Sequence, residues 1–202
     1  MSQTPDSDIQ AVVRRVLARL TGPPPAAAAQ ESPSAAESQA PRPQAGPDRK
    51  VVAVGADHGG YDLKEILKPV LHDLGFDVTD VGTHGKDPVD YPDIAHRVAD
   101  LVSAGKAWRG IIIDGAGIGS CVVANKIPGI RAGMAYDHAS AVNGREHNNT
   151  NVLTLGAGLI GANLARQIVQ TWLATAFGGG RHQPRVDKIA AVEKLYCKQR
   201  DS

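Results

Sequence analysis

The stretch Ile111-Ile-Ile-Asp-Gly-Ala-Gly-Ile-Gly-Ser-Cys-Val-Val-Ala-Asn-Lys126 constrains this chain most. An apolar run fit for a buried strand ends on a carboxylate, passes through three alternating glycines and continues as a short helix. A strand that feeds a helix through glycines is the opening of a βαβ unit. Glycine lets backbone N–H groups approach a ligand closely, and the helix start adds the positive end of its dipole at the same spot. The turn is therefore expected to hold a small anion, with Asp114 as a candidate base beside it.

From Lys50 onward the chain keeps to the same alternation. The spacing of apolar residues predicts strands over 51–55, 76–81, 110–113, 130–136 and 151–155, and helices over 61–74, 94–104, 120–126 and 161–176. Leu63, Ile66, Leu67, Val70, Leu71 and Leu74 follow helical spacing and stop at Gly75. Strands separated by helices imply a parallel sheet covered on both faces, an α/β, Rossmann-like fold whose ligands sit at the carboxyl ends of the strands. Asp57, Asp114 and Asp137 all fall at or just after such ends.

The first 49 residues differ in kind. Residues 22–49 are a Pro/Ala/Ser/Gln mixture too poor in large apolar side chains to fold, and read as an extended linker. Ahead of it, Ile9, Val12, Val13, Val16, Leu17 and Leu20 form one apolar stripe on an amphipathic helix within residues 1–21, with Arg14, Arg15 and Arg19 on the other face. A helix this short is marginal alone in water, so a partner surface is expected for it. That surface is either its own domain or another protein; a membrane surface fits less well, because no aromatic anchor is present. The remaining 50–202 are long enough for one sizeable core.

Composition excludes several classes. A net charge of +1 with mixed signs does not provide the clustered basic face of a nucleic-acid binder. No apolar run approaches bilayer length and no secretory signal opens the chain, which points to a cytoplasmic protein and no membrane partner. Cys121 and Cys197 match no metal spacing and read as reduced thiols.

Three polar constellations stand beside the glycine turn. Asp57-His58, bracketed by glycines after the first strand, offers a proton carrier or anion donor, or a helix cap and a surface histidine. In Arg145-Glu-His-Asn-Asn-Thr-Asn151, His147 is placed to protonate an oxygen and Asn148 to hold an oxyanion, unless the segment is a solvated turn. Gly178-Gly-Gly-Arg-His-Gln-Pro-Arg185 puts two arginines and a histidine on a glycine-rich loop, the makings of a phosphate clamp. His72, His84, His96 and His138 lack such company. Gly115-x-Gly117 with Asp137 further on imitates a dinucleotide fingerprint, but the third glycine is displaced and the helix is short, so a nicotinamide cofactor is not expected.

Taken in order, GADHGGYDLK, DYPDIA, GAGIGSCVVANKIPGIRA, REHNNTNVL and GGRHQPRV resemble the ribose-5-phosphate isomerase B family, which includes galactose-6-phosphate isomerase subunits, over about residues 50–196. The resemblance implies a Rossmann-like fold, a pocket between two subunits of a homodimer or tetramer, and interconversion of aldose and ketose phosphates through an enediolate with no metal or organic cofactor. It implies that Asp57 and His58 lie near the phosphate, Tyr91 lines the pocket, His147 opens the sugar ring and Asn148 contacts the enediolate. Arg181 and Arg185 would bind phosphate, and Gly115, Gly117, Gly119 and Ser120 would line the reacting oxygens. The chain departs from the pattern where family members carry a cysteine base (here Asp114), a Thr or Ser (Ala116), a glutamate in members lacking the cysteine (Ser120) and a phosphate-binding arginine (Gly158). A carboxylate can replace the thiolate if its surroundings are apolar and partly dry; otherwise the pocket serves a different sugar or binds without turnover. The N-terminal helix and linker resemble the encapsulation peptides that carry enzymes into bacterial microcompartments, with shell proteins as the implied partner of residues 6–21.

Overall fold

A computed structural model describes residues 50–196. The helix expected over 1–21 and the linker over 22–49 lie outside the described residues. Five parallel strands, β1 (Val51–Ala56), β2 (Asp77–Asp80), β3 (Arg109–Asp114), β4 (Ala132–Met134) and β5 (Val152–Gly156), form one sheet in the order β2-β1-β3-β5-β4. Six helices connect and cover them: α1 (Tyr61–Asp73), α2 (Tyr91–Ser103), α3 (Ile118–Ala124), α4 (His138–Glu146), α5 (Ala162–Ala174) and α6 (Gln183–Tyr196).

The central strands β3 and β5 are buried at every residue, and β1 at all but its first, because helices cover both faces of the sheet. Successive side chains alternate faces. Val52, Val54, Ile111, Ile113, Leu153 and Leu155 meet Leu67 and Leu71 of α1 and Ile168 and Trp172 of α5 on one side. Ala53 and Ile112 meet Ala95, Val98 and Ala99 of α2 and Ala124 at the end of α3 on the other. Each fully buried Leu or Ile contributes about 2 kcal/mol relative to an exposed one. The edge strand β2 alternates exposed and half-buried residues, as a strand with one open side should.

Because β1 lies between β2 and β3, the chain leaves it in one direction and returns on the other. The carboxyl ends of β1 and β3 therefore flank the point where the winding reverses, the crevice in which α/β sheets bind ligands. Both expected acids arrive there: the Asp57 amide donates to the Ile113 carbonyl at 3.1 Å, and Asp114 ends β3.

Two helices were not expected from the sequence. In α4 the segment HASAVNGRE is short, polar and rich in small residues, and in α6 only Val186 is buried. A local signal for α4 was present. Asp137, read above as a candidate at a strand's end, instead caps this helix, accepting from the Ser140 amide at 2.6 Å while Ser140 bonds back to the Asp137 amide at 3.2 Å. The strand expected over 130–136 shrinks to three residues.

Candidate active site

The described site residues form two groups. The first surrounds the turn from β3 into α3. Gly117 takes φ +78°, and a Cβ there would lie 2.9 Å from the Leu155 carbonyl carbon, so the turn needs glycine both for conformation and for space. This folds the loop back over the Asp114 carboxylate, which is 4% exposed. Its Oδ1 accepts from the amides of Ala116 (2.8 Å) and Gly117, and its Oδ2 from the Ser120 amide (3.1 Å) and the Ser120 hydroxyl.

The chain's own carboxylate thus takes part of the donor set anticipated at this turn. The amides of Ala116, Gly117 and Ser120 point inward at Asp114; of the three glycines expected to line the reacting oxygens, Gly117 gives its amide to this carboxylate, whereas Gly115 and Gly119 do not. The expected free base at Asp114 likewise meets four donors, and lone pairs so engaged are poorly placed to take a proton from carbon. Ser120, expected at the substrate, is fully buried as one of those donors.

Around this turn stand three further expected residues. Tyr91 opens α2 and lays its ring on the loop; a Cβ at Gly119 would be 2.5 Å from the Tyr91 Cζ. Asp57 Oδ1 accepts from the Gly60 amide at 2.9 Å at the start of α1, and exposed His58 accepts from the Val89 amide at 3.3 Å through Nδ1. Both fix the loop after β1. Lys64, not singled out in the sequence, is fully buried and ties α1 to β2 and the following loop through Asp80 (2.7 Å) and the Thr83 carbonyl (2.7 Å). Cys121 turns away toward β4, donating to the Ala132 carbonyl at 3.5 Å; burial pushes its thiol pKa up, which favours the unreactive form.

The second group gathers where α4 ends and α6 begins. The loop before α6 grips the end of α4, the Gly178 amide donating to the Glu146 carbonyl at 2.9 Å. Gly179 and Gly180 follow with positive φ, and a 3-10 turn over Gly180–His182 then lays His182 on His147, with Arg181 in the same turn and Arg185 in the first turn of α6. The rings of His147 and His182 stack with centroids 4.1 Å apart and planes 10° apart. Asn148 donates to the backbone carbonyl (3.1 Å) and Oδ1 (3.0 Å) of Asn143, whose own amide nitrogen lies 2.8 Å from His147 Nδ1.

Positive charge dominates this region. Buried Arg145 is held by the carbonyls of Thr150 and Thr175 and by Asn149 Oδ1, and Arg109 by the carbonyls of Trp172 and Leu173. Burial first, and then the neighbouring guanidinium, lowers their pKa values to about 10 and about 9. Arg181 and Arg185 are exposed. A cavity of about 660 Å³ lies between β4 and α4, with Arg131, Tyr136, Asp137, Ser140, Asn143 and Asn148 in its wall; His147, His182, Arg181 and Arg185 do not line it. Asn143 was missed in the sequence, although its place four residues before His147 on one helix puts the two on the same face.

Among the described residues no set of three or more His, Cys, Asp or Glu is arranged for a metal ion, and no helix is long and apolar enough to cross a membrane.

The sheet order and the crevice at the ends of β1 and β3 define an α/β protein with a Rossmann-like parallel sheet. The chain belongs to the Ribose/Galactose Isomerase family, which it matches over residues 52–189. It is 43% identical over 145 residues to ribose-5-phosphate isomerase B of Escherichia coli, covering 72% of this chain and 97% of that protein. It is also 43% identical over 144 residues to D-erythrulose-4-phosphate isomerase of Pectobacterium atrosepticum, covering 70% of this chain and 94% of the relative. The solved structure of Clostridium thermocellum ribose-5-phosphate isomerase B superposes with a TM-score of 0.71 at 47% identity, covering 72% of this chain and 99% of that one.

Proposed function

We propose that this protein is an aldose-ketose isomerase acting on ribose 5-phosphate or a related short sugar phosphate. The observation that carries the reading is the stack of His147 on His182, whose ring also meets Arg181 and lies near Arg185, so that an imidazole and two exposed cations share one junction. A phosphate held by the guanidiniums would leave the sugar ring within the reach of the imidazole. The Nε2–H of His147 would donate to the ring oxygen as the C1–O bond breaks, while the anomeric hydroxyl passes its proton through water back to the imidazole, so that the ring opens and His147 is restored. A base would then take the C2 proton and return it to C1 while a hydroxyl proton passes from O2 to O1, through an enediolate. The named activities of the relatives support this, and they also put a four-carbon substrate beside the five-carbon one.

Asp114 is the carboxylate assigned to the base. To act, it must exchange at least one of its amide or hydroxyl donors for the substrate's oxygen. The two groups stand on different elements, and among the described residues no hydrogen bond or ion pair joins them. This supports a pocket completed by a second copy, with Asp57, His58, Tyr91 and Asp114 of one protomer facing the histidine-arginine group of its partner. Exposed Ile118 and Val122 on α3 and Tyr136 beside the cavity supply apolar surface for such an interface.

The saturated carboxylate favours a second reading, binding of a sugar phosphate without turnover, in a binding or scaffold protein of the same fold. Proton NMR with ribose 5-phosphate in deuterated water separates the two. Ribulose 5-phosphate formation with deuterium entering at C1 of the ketose and at C2 of recovered ribose 5-phosphate is the expected result; binding without conversion or exchange would leave the non-catalytic reading. The likeness of residues 6–21 to encapsulation peptides supports a place inside a bacterial microcompartment. Deleting residues 1–22 should then abolish co-purification with shell proteins, and unchanged co-purification would rule that address out.

A further inference from the structure

We infer that His182 is a positioning residue, whose ring stacks on His147 and holds that imidazole with its Nε2 proton presented for donation. The inference rests on the isomerase reading and concerns a residue outside the expected set of acids and clamps.

The hydrogen bonds assign the protons. A backbone carbonyl can only accept, so the Asn148 atom 3.1 Å from the Asn143 carbonyl is its amide nitrogen. The same nitrogen lies 3.0 Å from the other side-chain terminus of Asn143, which must therefore be Oδ1. That leaves the Asn143 amide nitrogen facing His147 at 2.8 Å, so Nδ1 of His147 accepts and the neutral ring carries its proton on Nε2. The Glu146 carboxylate, 3.9 Å from Nε2, lies on the side of that proton.

His182 is set up differently. Arg181 Nε–H donates to His182 Nε2 at 3.3 Å, so that nitrogen accepts and the neutral ring carries its proton on Nδ1. The residue is 7% exposed, whereas the His147 side chain is 35% exposed. Burial, followed by the nearby His147, Arg181 and Arg185, lowers the His182 pKa against the raising effect of Glu146. The stack is thus a neutral, buried ring lying under a half-exposed one. Its parallel face opposes tilting of His147, while the single bond from Asn143 sets rotation within the plane. An acid that must meet a ring oxygen needs both constraints, since misplacement by about 1 Å costs on the order of 100-fold.

The test compares wild type with His182→Ala, which removes the stack, and His182→Phe, which keeps a stacking ring without the nitrogens. Nitrogen-proton NMR of His147 should show one tautomer, protonated at Nε2, in wild type and His182→Phe. In His182→Ala it should show averaging of two. Conversion of ribose 5-phosphate should fall about 10-fold or more in His182→Ala and stay within about threefold in His182→Phe. Deuterium entry at C1 of ribulose 5-phosphate, an open-chain ketose that needs no ring opening, should change by less than about twofold in both. An unchanged His147 tautomer in His182→Ala, equal losses in conversion and exchange, or failure of His182→Phe to restore conversion would overturn the assignment. A wild-type protein that neither converts nor exchanges either sugar would instead overturn the isomerase reading, while the tautomer spectra would still decide whether His182 orders His147.

Discussion

The end of β3 and the end of α4 treat charge in opposite ways. At β3 the Asp114 carboxylate meets the amides of Ala116, Gly117 and Ser120 and a serine hydroxyl, so the anion a glycine turn could capture is supplied by the chain. At the end of α4 the protein brings together His147, His182, Arg181 and Arg185, with Glu146 at 3.9 Å from His147. A closed polar group stabilises the fold and must give up one of its own bonds before it can meet a ligand; a cationic group with exposed guanidiniums can take a phosphate without such an exchange. The comparison teaches that a ligand-binding motif in sequence does not say whether its donors are still free.

The strongest way to break the comparison is Asp114→Ala. Three amides and a hydroxyl would lose their acceptor in a buried site, at an expected cost of about 3 kcal/mol. For a domain of this size that lowers Tm by roughly 6–12 °C in a thermal unfolding scan. A drop of a degree or less would mean that the loop is not closed by its own carboxylate. On the other side, Arg181→Ala and Arg185→Ala should each weaken sugar-phosphate binding by roughly 10–100-fold, because each removes a charge-assisted contact. Stability should move by less than about 0.5 kcal/mol, as for exposed side chains generally. Titration calorimetry and thermal unfolding on the same samples would read both, and an unfolding loss without a binding loss would reverse the roles given to the two regions.

Gly119→Ala sharpens the first region further. The added methyl would meet the Tyr91 ring 2.5 Å away, so it should cost about 1–3 kcal/mol. Combining it with Tyr91→Ala should recover much of that loss in a double-mutant cycle; additive losses would show that the ring is not what the glycine accommodates.

The smallest effect expected is a pH dependence confined to the second region. The folded-state pKa of His182 lies below the usual 6.5, so between those two values the unfolded chain binds more protons than the folded one. Stability from this group is complete above about pH 6.5 and is lost as the pH falls through the folded value. Wild type should therefore lose stability over that acid window relative to His182→Phe, with parallel curves above it. Coincident curves throughout would show that His182 is not kept neutral.

The architecture was largely legible in the chain. Ile111, Ile112 and Ile113 need cover on both faces, Leu63, Leu67 and Leu71 repeat at helical spacing, and the alternation of such segments leaves a parallel α/β sheet as the economical arrangement. The helices that escaped, α4 and α6, bury too little for periodicity to register; only the Asp137-Ser140 cap marked the first of them.

For the site, sequence alone determined which chemical groups are available and that Asp57 and Asp114 arrive at strand ends, because strand direction follows from connectivity. It could not determine what those groups touch. Whether the amides at residues 116, 117 and 120 face a ligand or Asp114 depends on loop dihedrals set by packing against β5, where the Gly156 and Leu155 backbones crowd the turn. The stack of His147 on His182 joins residues 35 positions apart. Such a contact exists only once the loop over 178–182 has closed on the end of α4, a long-range event that no local pattern encodes.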